Sequence, residues 1–225
     1  MASTVTAPAG YDPSKYPSIG FTADNVLVTQ RDDALMVLLV ERARDPFAGA
    51  WAFPGGFVDP DETSRAAAWR ELAEETGLYL VDLRASLDVA ADLVGVYDGP
   101  RRDPRTRVVS AAYVSFGRGL DRGPRLRAAD DARRARWVPV RDLLGTCRRC
   151  VGGVQIGLDI TVVTAEGTLN TDCGSRCTFT GPRLAFDHLQ ILIVALSTLV
   201  EKADVRPLIE ATFASLRPAS DTFVA

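Results

Sequence analysis

Residues 56–78 read GFVDPDETSRAAAWRELAEETGL, and they carry three glutamates within five consecutive positions: Glu71, Glu74 and Glu75. The polar residues at 62–64 and Gly77 predict where a helix begins and ends. Carboxylates repel one another, and near the C-terminal end of a helix the macrodipole also disfavours negative charge. A bound divalent cation would relieve both effects, and oxygen ligands of this kind select Mg²⁺ or Mn²⁺.

The helical period predicts which side of this helix packs on the rest of the protein. The side expected to pack on a sheet is apolar: Ala66, Trp69, Leu72 and Ala73. The glutamates crowd toward another side, and an ordinary amphipathic helix with a solvated acidic face is the alternative to a metal site. The preceding loop AWAFPGGFVDP (50–60) favours the metal site, because glycines let the backbone approach a ligand closely.

Composition restricts the classes of protein to which this chain can belong. With 225 residues, 47% hydrophobic and 24% charged, it can build one packed globular domain with additions or two small domains. A net charge of -3 gives no electrostatic footprint for nucleic acid, so we expect no nucleic-acid partner. Residues 1–10 lack the basic and apolar segments of a signal peptide, which predicts a cytoplasmic protein.

The longest apolar run covers residues 189–200 and reads LQILIVALSTLV. It is too short to cross a bilayer, which takes about 20 apolar residues, so we expect no membrane association. The run is better explained as a buried helix or a subunit contact. A homodimer is therefore predicted, formed through residues 184–213 and the segment 11–22.

Short apolar segments predict a sheet flanked by helices. Four of them are typical of strands: 25–30, 34–42, 89–97 and 107–116. Because strands and helices do not alternate strictly, the sheet is predicted to be mixed and the fold class to be α+β. Residues 1–18 hold three prolines among small polar residues and are predicted to form a mobile arm.

The spacing of nine residues in the opening stretch resembles the complete signature of the Nudix hydrolases. The matching residues are Gly56, Glu62, Arg70, Glu71, Leu72, Glu74, Glu75, Gly77 and Leu78. The resemblance implies an α/β/α sandwich, with a Nudix domain over 19–145 and a C-terminal helical segment over 183–216. It also implies metal-dependent hydrolysis of a nucleoside diphosphate linked to another moiety.

The resemblance implies roles for the residues of the signature. The implied Mg²⁺ or Mn²⁺ ligands are three carboxylates and one backbone carbonyl: Glu71, Glu74, Glu75 and Gly55. The implied catalytic residues are Glu71, Arg70 and Glu75. Arg70 would orient Glu71, and Glu62 would brace the loop against the helix. Gly55 and Gly56 are expected to lie against the substrate.

The final catalytic base differs among Nudix enzymes. Glu71 can serve, and many ADP-ribose hydrolases use an acidic residue from a later loop, where this chain offers Asp130 and Asp131. Solvent-exposed loop charge is the simpler interpretation of these two aspartates. The single histidine, His188, follows Asp187, a plausible cap for the last helix, and is interpreted as structural.

The flanking segments indicate a substrate. Residues 101–113 and 184–213 resemble segments of bacterial ADP-ribose pyrophosphatases and of the Nudix-related repressors of NAD metabolism, which predicts hydrolysis of ADP-ribose to AMP and ribose 5-phosphate. The alternative is an ADP-ribose-sensing regulator. Those repressors carry a winged helix after the last helix, for which we expect no room before Ala225. Four arginines are candidates to bind a phosphate or ribose, or else form ordinary ion pairs: Arg42, Arg102, Arg105 and Arg107.

Four cysteines fall in an insert over residues 146–182, where the related proteins usually run directly into the segment LAFDH. They form two close pairs: Cys147 with Cys150, and Cys173 with Cys177. The residues between the pairs predict a β-hairpin, and two such pairs resemble a zinc ribbon with a structural Zn²⁺. Two local disulfides and four reduced thiols are the alternatives.

Overall fold

The computed structural model describes residues 8–123, 125–129, 131–144, 184–202 and 204–214. Seven strands form one sheet: β1 (Gly20–Arg31), β2 (Ala34–Arg42), β3 (Trp51–Ala52), β4 (Gly55–Phe57), β5 (Leu87–Tyr97), β6 (Val108–Arg118) and β7 (Ala132–Pro139). The helices are α1 (Ser64–Thr76), α2 (Leu80–Leu83), α3 (Val140–Leu144), α4 (His188–Val200) and α5 (Arg206–Ala214).

The sheet is mixed, as predicted. Its strand order is β3-β2-β1-β6-β5, while β4 pairs with β1 and β7 pairs with β2. The pairing of β1 with β6 is parallel and extends from Gly20 opposite Val108 to Gln30 opposite Arg118, whereas the other strand pairs are antiparallel. The predicted α+β class is confirmed.

Side chains of the central strands are buried on both faces of the sheet, which explains why helices cover both faces. Successive side chains of a strand point to opposite faces of the sheet. Leu27 of β1 packs with Leu72 of α1, whereas the neighbouring Val28 packs in a cluster with Leu192 and Leu196 of α4. The result is three layers, with α1 on one face and α4 and α5 on the other.

The apolar run at 189–200 lies within α4 and is buried in the protein's own core. Ile191, Leu192 and Leu199 are fully buried. The residues of the run that belong to the core cluster with the strands are Ile191, Leu192, Ala195, Leu196, Leu199 and Val200. This burial removes the reason from which a subunit contact through 184–213 was inferred, and the homodimer stays a prediction. Among the described residues, no helix combines the length and the apolarity that a membrane span requires.

Several predicted features lie outside the described residues. They are the cysteine insert over 146–182 with its hairpin, Asp130, and residues 1–7 of the predicted arm. Within the rest of the arm, Pro13–Lys15 form a short 3₁₀ turn, and the rings of Tyr11 and Tyr16 stack with centroids 5.9 Å apart. The domain boundaries and the mobility of the arm stay predictions.

Candidate functional site

Helix α1 begins and ends where the sequence predicts. The hydroxyl of Thr63 accepts the backbone N–H of Ala66 at 3.2 Å, which caps the first turn. Gly77 adopts φ 74° and donates its N–H to the carbonyl of Ala73. Because a side chain is strained at that φ, glycine is the natural residue for this stop.

The buried side of α1 differs from the predicted one. Leu72 is buried as expected, but Ala66 is exposed, and the glutamates do not share one face. Glu71 and Glu75 are 9% and 7% exposed, while Glu74 points to solvent. The buried side is rotated because Ala67 and Ala68 pack on the sheet while β4 covers the two buried glutamates. The buried residues are Ala67, Ala68, Glu71, Leu72, Glu75 and Thr76.

Arg70 connects this helix to the preceding loop. One guanidinium nitrogen donates to Glu71 and Glu74, each at 2.8 Å, and the other donates to Glu62 at 2.7 Å and to the carbonyl of Phe57 at 2.9 Å. These contacts raise the pKa of Arg70, the hydrogen bond to Glu62 being the largest cause. The guanidinium therefore holds one oxygen of Glu71 and ties the loop to the helix.

Gly55 and Gly56 let β4 run directly over the carboxylates. A Cβ atom at Gly56 would overlap the carboxylate of Glu71, and one at Gly55 would overlap the side chain of Asp24. The N–H of Gly55 donates to Glu75 at 3.1 Å. Both glycines are therefore required by close approach, as the loop sequence indicated.

Buried carboxylates gather where β4 passes over α1. Burial, with smaller contributions from the charges of Glu71 and Asp24, raises the pKa of Glu75 from 4.5 to about 8, against the opposing effects of the Gly55 N–H and Arg42. Asp24, in β1, is 7% exposed and accepts a hydrogen bond from the hydroxyl of Ser110. The three carboxylates line one cavity of about 290 Å³.

These donors fit a hard divalent cation by their chemistry. Within the described ranges, no group of three or more His, Cys, Asp and Glu side chains is already arranged around a metal position. The carboxylates of Asp24, Glu71 and Glu75 nevertheless supply oxygen alone, and burial, with the smaller effects of Glu71 and Asp24, raises the pKa of Glu75, so its ionised form is disfavoured until a cation is bound. The four cysteines proposed for zinc lie outside the described residues.

Four arginines line the cavity, and their partners distinguish them: Arg42, Arg70, Arg102 and Arg105. Arg102 makes a bidentate pair with Asp187 at 2.6 and 2.9 Å, and Arg105 pairs with the buried Asp103 at 2.7 Å. Arg42 donates its Nε to the carbonyl of Pro46 at 2.8 Å and pairs with no carboxylate in the described part of the chain. Of the predicted phosphate-binding arginines that line the cavity, Arg42 therefore has the charge least committed to a carboxylate.

The other predicted residues lie around this cavity with different partners. Asp131 lines it, but its carboxylate is 54% exposed and pairs with Arg44 at 3.0 Å. Arg107 does not line the cavity, and its NH1 is buried without a hydrogen-bond partner among the residues that the structure describes. Asp187 stands at the start of α4 without capping it through its side chain, because that carboxylate faces Arg102.

His188 completes the cavity wall as a neutral side chain. Its Nδ1 accepts the backbone N–H of Phe53 at 3.0 Å, and its ring stacks on the Phe53 ring with centroids 4.9 Å apart. Burial lowers its pKa, although Asp24 lies 3.9 Å from Nε2 and acts in the opposite direction. The imidazole therefore stays uncharged at neutral pH.

Sequence reasoning missed three residues that the fold brings to the cavity: Asp24, Asp103 and Phe186. Asp24 carried a signal, since it lies in β1 shortly before the apolar residues 26–28, and an aspartate is costly to bury without a partner. Asp103 was overlooked among the arginines that surround it in sequence. Phe186 follows the cysteine insert and reaches the cavity through tertiary structure alone.

Comparison with known proteins agrees with this geometry. A three-layer sandwich in which a glutamate-bearing helix and a Gly-Gly turn close on one cavity is the architecture of a Nudix domain. The NUDIX domain model matches residues 21–149, and this chain belongs to the Nudix family. The predicted sandwich is thereby confirmed.

Three similar proteins illustrate the relationship. An ADP-ribose pyrophosphatase of Methanocaldococcus jannaschii is 40% identical over 108 residues, which are 48% of this chain and 56% of that protein. A MutT/nudix family protein from Enterococcus faecalis superposes with a TM-score of 0.61 at 28% identity, covering 90% of this chain and 70% of that one. The NUDIX domain of Shewanella oneidensis NrtR, complexed with ADP ribose, gives 0.58 at 25% identity, covering 85% and 95%. The sequence match thus spans little more than half of the archaeal relative.

Proposed function

We propose that this protein hydrolyses the pyrophosphate bond of ADP-ribose, giving AMP and ribose 5-phosphate, with Mg²⁺ or Mn²⁺ as cofactor. The observation that carries the proposal is that one cavity joins the buried carboxylates of Glu71 and Glu75 to the Arg42 guanidinium. A pyrophosphate accompanied by a divalent cation supplies the complementary charges. The similarity to an ADP-ribose pyrophosphatase supports this choice of substrate.

The cation would be held by Glu71 and Glu75 of α1 and the carbonyl of Gly55 in β4, with Asp24 beside them. Glu74, the remaining ligand that the signature implies, is exposed and does not line the cavity. When bound, a divalent cation neutralises pyrophosphate charge and lowers the pKa of a coordinated water. Arg70 keeps Glu71 in place through its 2.8 Å hydrogen bond and shares the same nitrogen with Glu74. Glu62 fixes Arg70 in turn, so the loop and helix hold one arrangement.

Arg42 is proposed to bind a substrate phosphate, because guanidinium presents parallel donors that match two phosphate oxygens. Arg102 and Arg105 are proposed to shape the cavity through their ion pairs with Asp187 and Asp103. Glu71 is the proposed base that accepts a proton from the attacking water, since it lies in the cavity, whereas Asp131 is turned to Arg44.

A substrate screen tests this function. ADP-ribose, nucleotide sugars, NADH and diadenosine polyphosphates are each incubated with Mg²⁺, Mn²⁺ or EDTA, and release of nucleoside monophosphate is measured. ADP-ribose should be the best substrate, and EDTA should stop the reaction. Glu71→Gln and Glu75→Gln should each lower kcat by about two orders of magnitude or more.

Glu210→Gln makes the same chemical change at an exposed position of α5 and should retain activity. Near wild-type turnover by the Glu71→Gln, Glu75→Gln double variant would show that the site is placed wrongly. If the screen shows a preference for another compound, the protein is still a pyrophosphatase, but ADP-ribose is not its substrate.

The second candidate is an ADP-ribose-sensing regulator or binding module. The similarity to an NrtR domain complexed with ADP ribose favours it. Calorimetry together with the assay of AMP release separates the two functions. A sensor binds ADP-ribose but releases no AMP when Mg²⁺ is present, whereas the hydrolase releases AMP.

A further inference from the structure

Two phenylalanines next to Arg42 adopt backbone conformations that side chains of their size rarely adopt. Phe47 has φ 65° and Phe186 has φ 50°. Their rings meet edge to face, with centroids 4.8 Å apart and planes at 63°. Left-handed φ is strained for a bulky residue, and strain of this kind is concentrated at ligand-binding sites.

Arg42 lies against this pair at the point where β2 meets the cavity. The pairing of β2 with β7 becomes irregular between Glu41 and Arg42, which turns the end of the strand. The guanidinium carbon of Arg42 lies 5.0 Å from the centroid of the Phe186 ring, and Phe186 itself lines the cavity. A cation at this distance from an aromatic face is attracted to it.

The backbone around Phe186 is fixed on both sides. On one side, the N–H of Ala185 donates to the carbonyl of Trp51 at 2.8 Å. On the other side, Asp187 makes the bidentate pair with Arg102. His188 then accepts the N–H of Phe53. These contacts hold the backbone on both sides of Phe186, and each joins residues 185–188, which lie beyond the family match, to a residue within 21–149.

We propose that Phe186, braced by Phe47, is a positioning residue that holds the Arg42 guanidinium in the cavity so that it binds a substrate phosphate. The inference rests on the proposed function insofar as the ligand carries a phosphate. It assigns part of the affinity to a residue that follows the cysteine insert. Phe186 acts through Arg42 and makes no contribution of its own to phosphate binding.

The test is a double-mutant cycle on the full chain. The Kd of ADP-ribose is measured by calorimetry in EDTA, where no turnover occurs. Arg42→Ala should raise Kd about 10- to 100-fold, the range for a hydrogen-bonded charge. Phe186→Leu should raise it about 2- to 5-fold, the range for a cation–π contact. The double variant should bind no more weakly than Arg42→Ala alone.

Kinetics and a conservative variant supply a second readout. With Mg²⁺, Phe186→Leu should raise KM and leave kcat nearly unchanged, because it loosens a binding group and not the carboxylates. Phe186→Tyr keeps the ring and should restore KM. Tyr79→Leu removes an aromatic side chain that is 55% exposed and outside the cavity, and it serves as the control with unchanged Kd.

Folding is measured by thermal melting for every variant, and Phe47→Leu provides a second route if Phe186→Leu is unfolded. An additive double variant would overturn the inference, since it would mean that Phe186 acts on the ligand by a route other than Arg42, either directly or through Arg102, whose guanidinium carbon lies 5.9 Å from the centroid of the same ring. A folded Phe186→Leu with wild-type Kd would also overturn it.

Failure of the proposed function is recognised separately. If the wild-type protein does not bind ADP-ribose, the proposed substrate is wrong, and the same cycle is measured with inorganic pyrophosphate as the probe. Equal pyrophosphate binding by wild type and Arg42→Ala would then overturn the role of Arg42 and with it that of Phe186.

Discussion

Glu75 is expected to make the metal-free protein less stable than an uncharged side chain at the same place would. Its carboxylate is 7% exposed, and its pKa is raised from 4.5 to about 8. Between these two pH values the folded protein holds a proton that the unfolded chain has released. The stability from this group is therefore complete below pH 4.5 and is lost as the pH rises through about 8.

The size of the effect follows from the shift. One pKa unit corresponds to about 1.4 kcal/mol, so the rise from pH 4.5 to pH 7 costs about 3 kcal/mol of unfolding free energy. Glu75→Gln cannot ionise, and its amide oxygen can still accept the Gly55 N–H. The substitution should therefore raise the unfolding free energy at pH 7 by about 3 kcal/mol in EDTA, while it abolishes turnover.

The assay is urea unfolding in EDTA at pH 5, 6, 7 and 8, followed by tryptophan fluorescence. The quantity compared is the difference between variant and wild type, because pH-dependent contributions from the rest of the chain are common to both proteins. That difference should grow with pH. Glu74→Gln makes the same change on the same helix at a side chain that is 46% exposed, and it should leave stability nearly unchanged. A Glu75→Gln protein that is less stable than wild type at pH 7, or equally stable at every pH, would refute the reasoning.

Three further predictions concern the rest of the molecule. Asp187→Asn leaves the Arg102 side chain, which is 6% exposed, without its carboxylate and should lower the unfolding free energy by about 3 kcal/mol in urea titrations; an unchanged midpoint would contradict this. If the four cysteines bind zinc, elemental analysis should find about one Zn²⁺ per chain that Cys150→Ser releases while Mg²⁺-dependent turnover survives; absent zinc with four free thiols, or with none, indicates a bare insert or disulfides. Sedimentation at micromolar concentration should show the predicted homodimer, and a species near 24.3 kDa alone would exclude it.

The sequence predicted the local features of the site well because they depend on short stretches of chain. The bounds of α1 follow from Thr63 and Gly77, and the nine residues of the signature fall within 56–78. The four predicted strands all lie within observed strands or overlap them, since their apolar segments are continuous in sequence. The mixed sheet followed from the order of these segments.

Side-chain partners across long separations were decided by the tertiary structure. Whether Arg42, Arg102 or Arg105 is committed to an ion pair depends on which carboxylate the fold brings beside each, and Asp187 lies 85 residues from Arg102. The apolar run at 189–200 does not by itself argue for a subunit contact, because α4 packs on the protein's own sheet, and the homodimer stays a prediction. An apolar run indicates only that its residues are buried. The packing of α4 on the protein's own sheet shows which residues bury it.

The sequence by itself determined that this chain carries the Nudix signature on a helix of known bounds, because cap, stop and spacing act within about 20 residues. Which glutamates of that helix are buried was decided by the fold. Gly55 and Gly56 bring β4 over Glu71 and Glu75, while Glu74 faces solvent. Asp24 and Phe186 joined the cavity for the same physical reason: contacts between distant residues form only when the sheet and its two helical layers pack together.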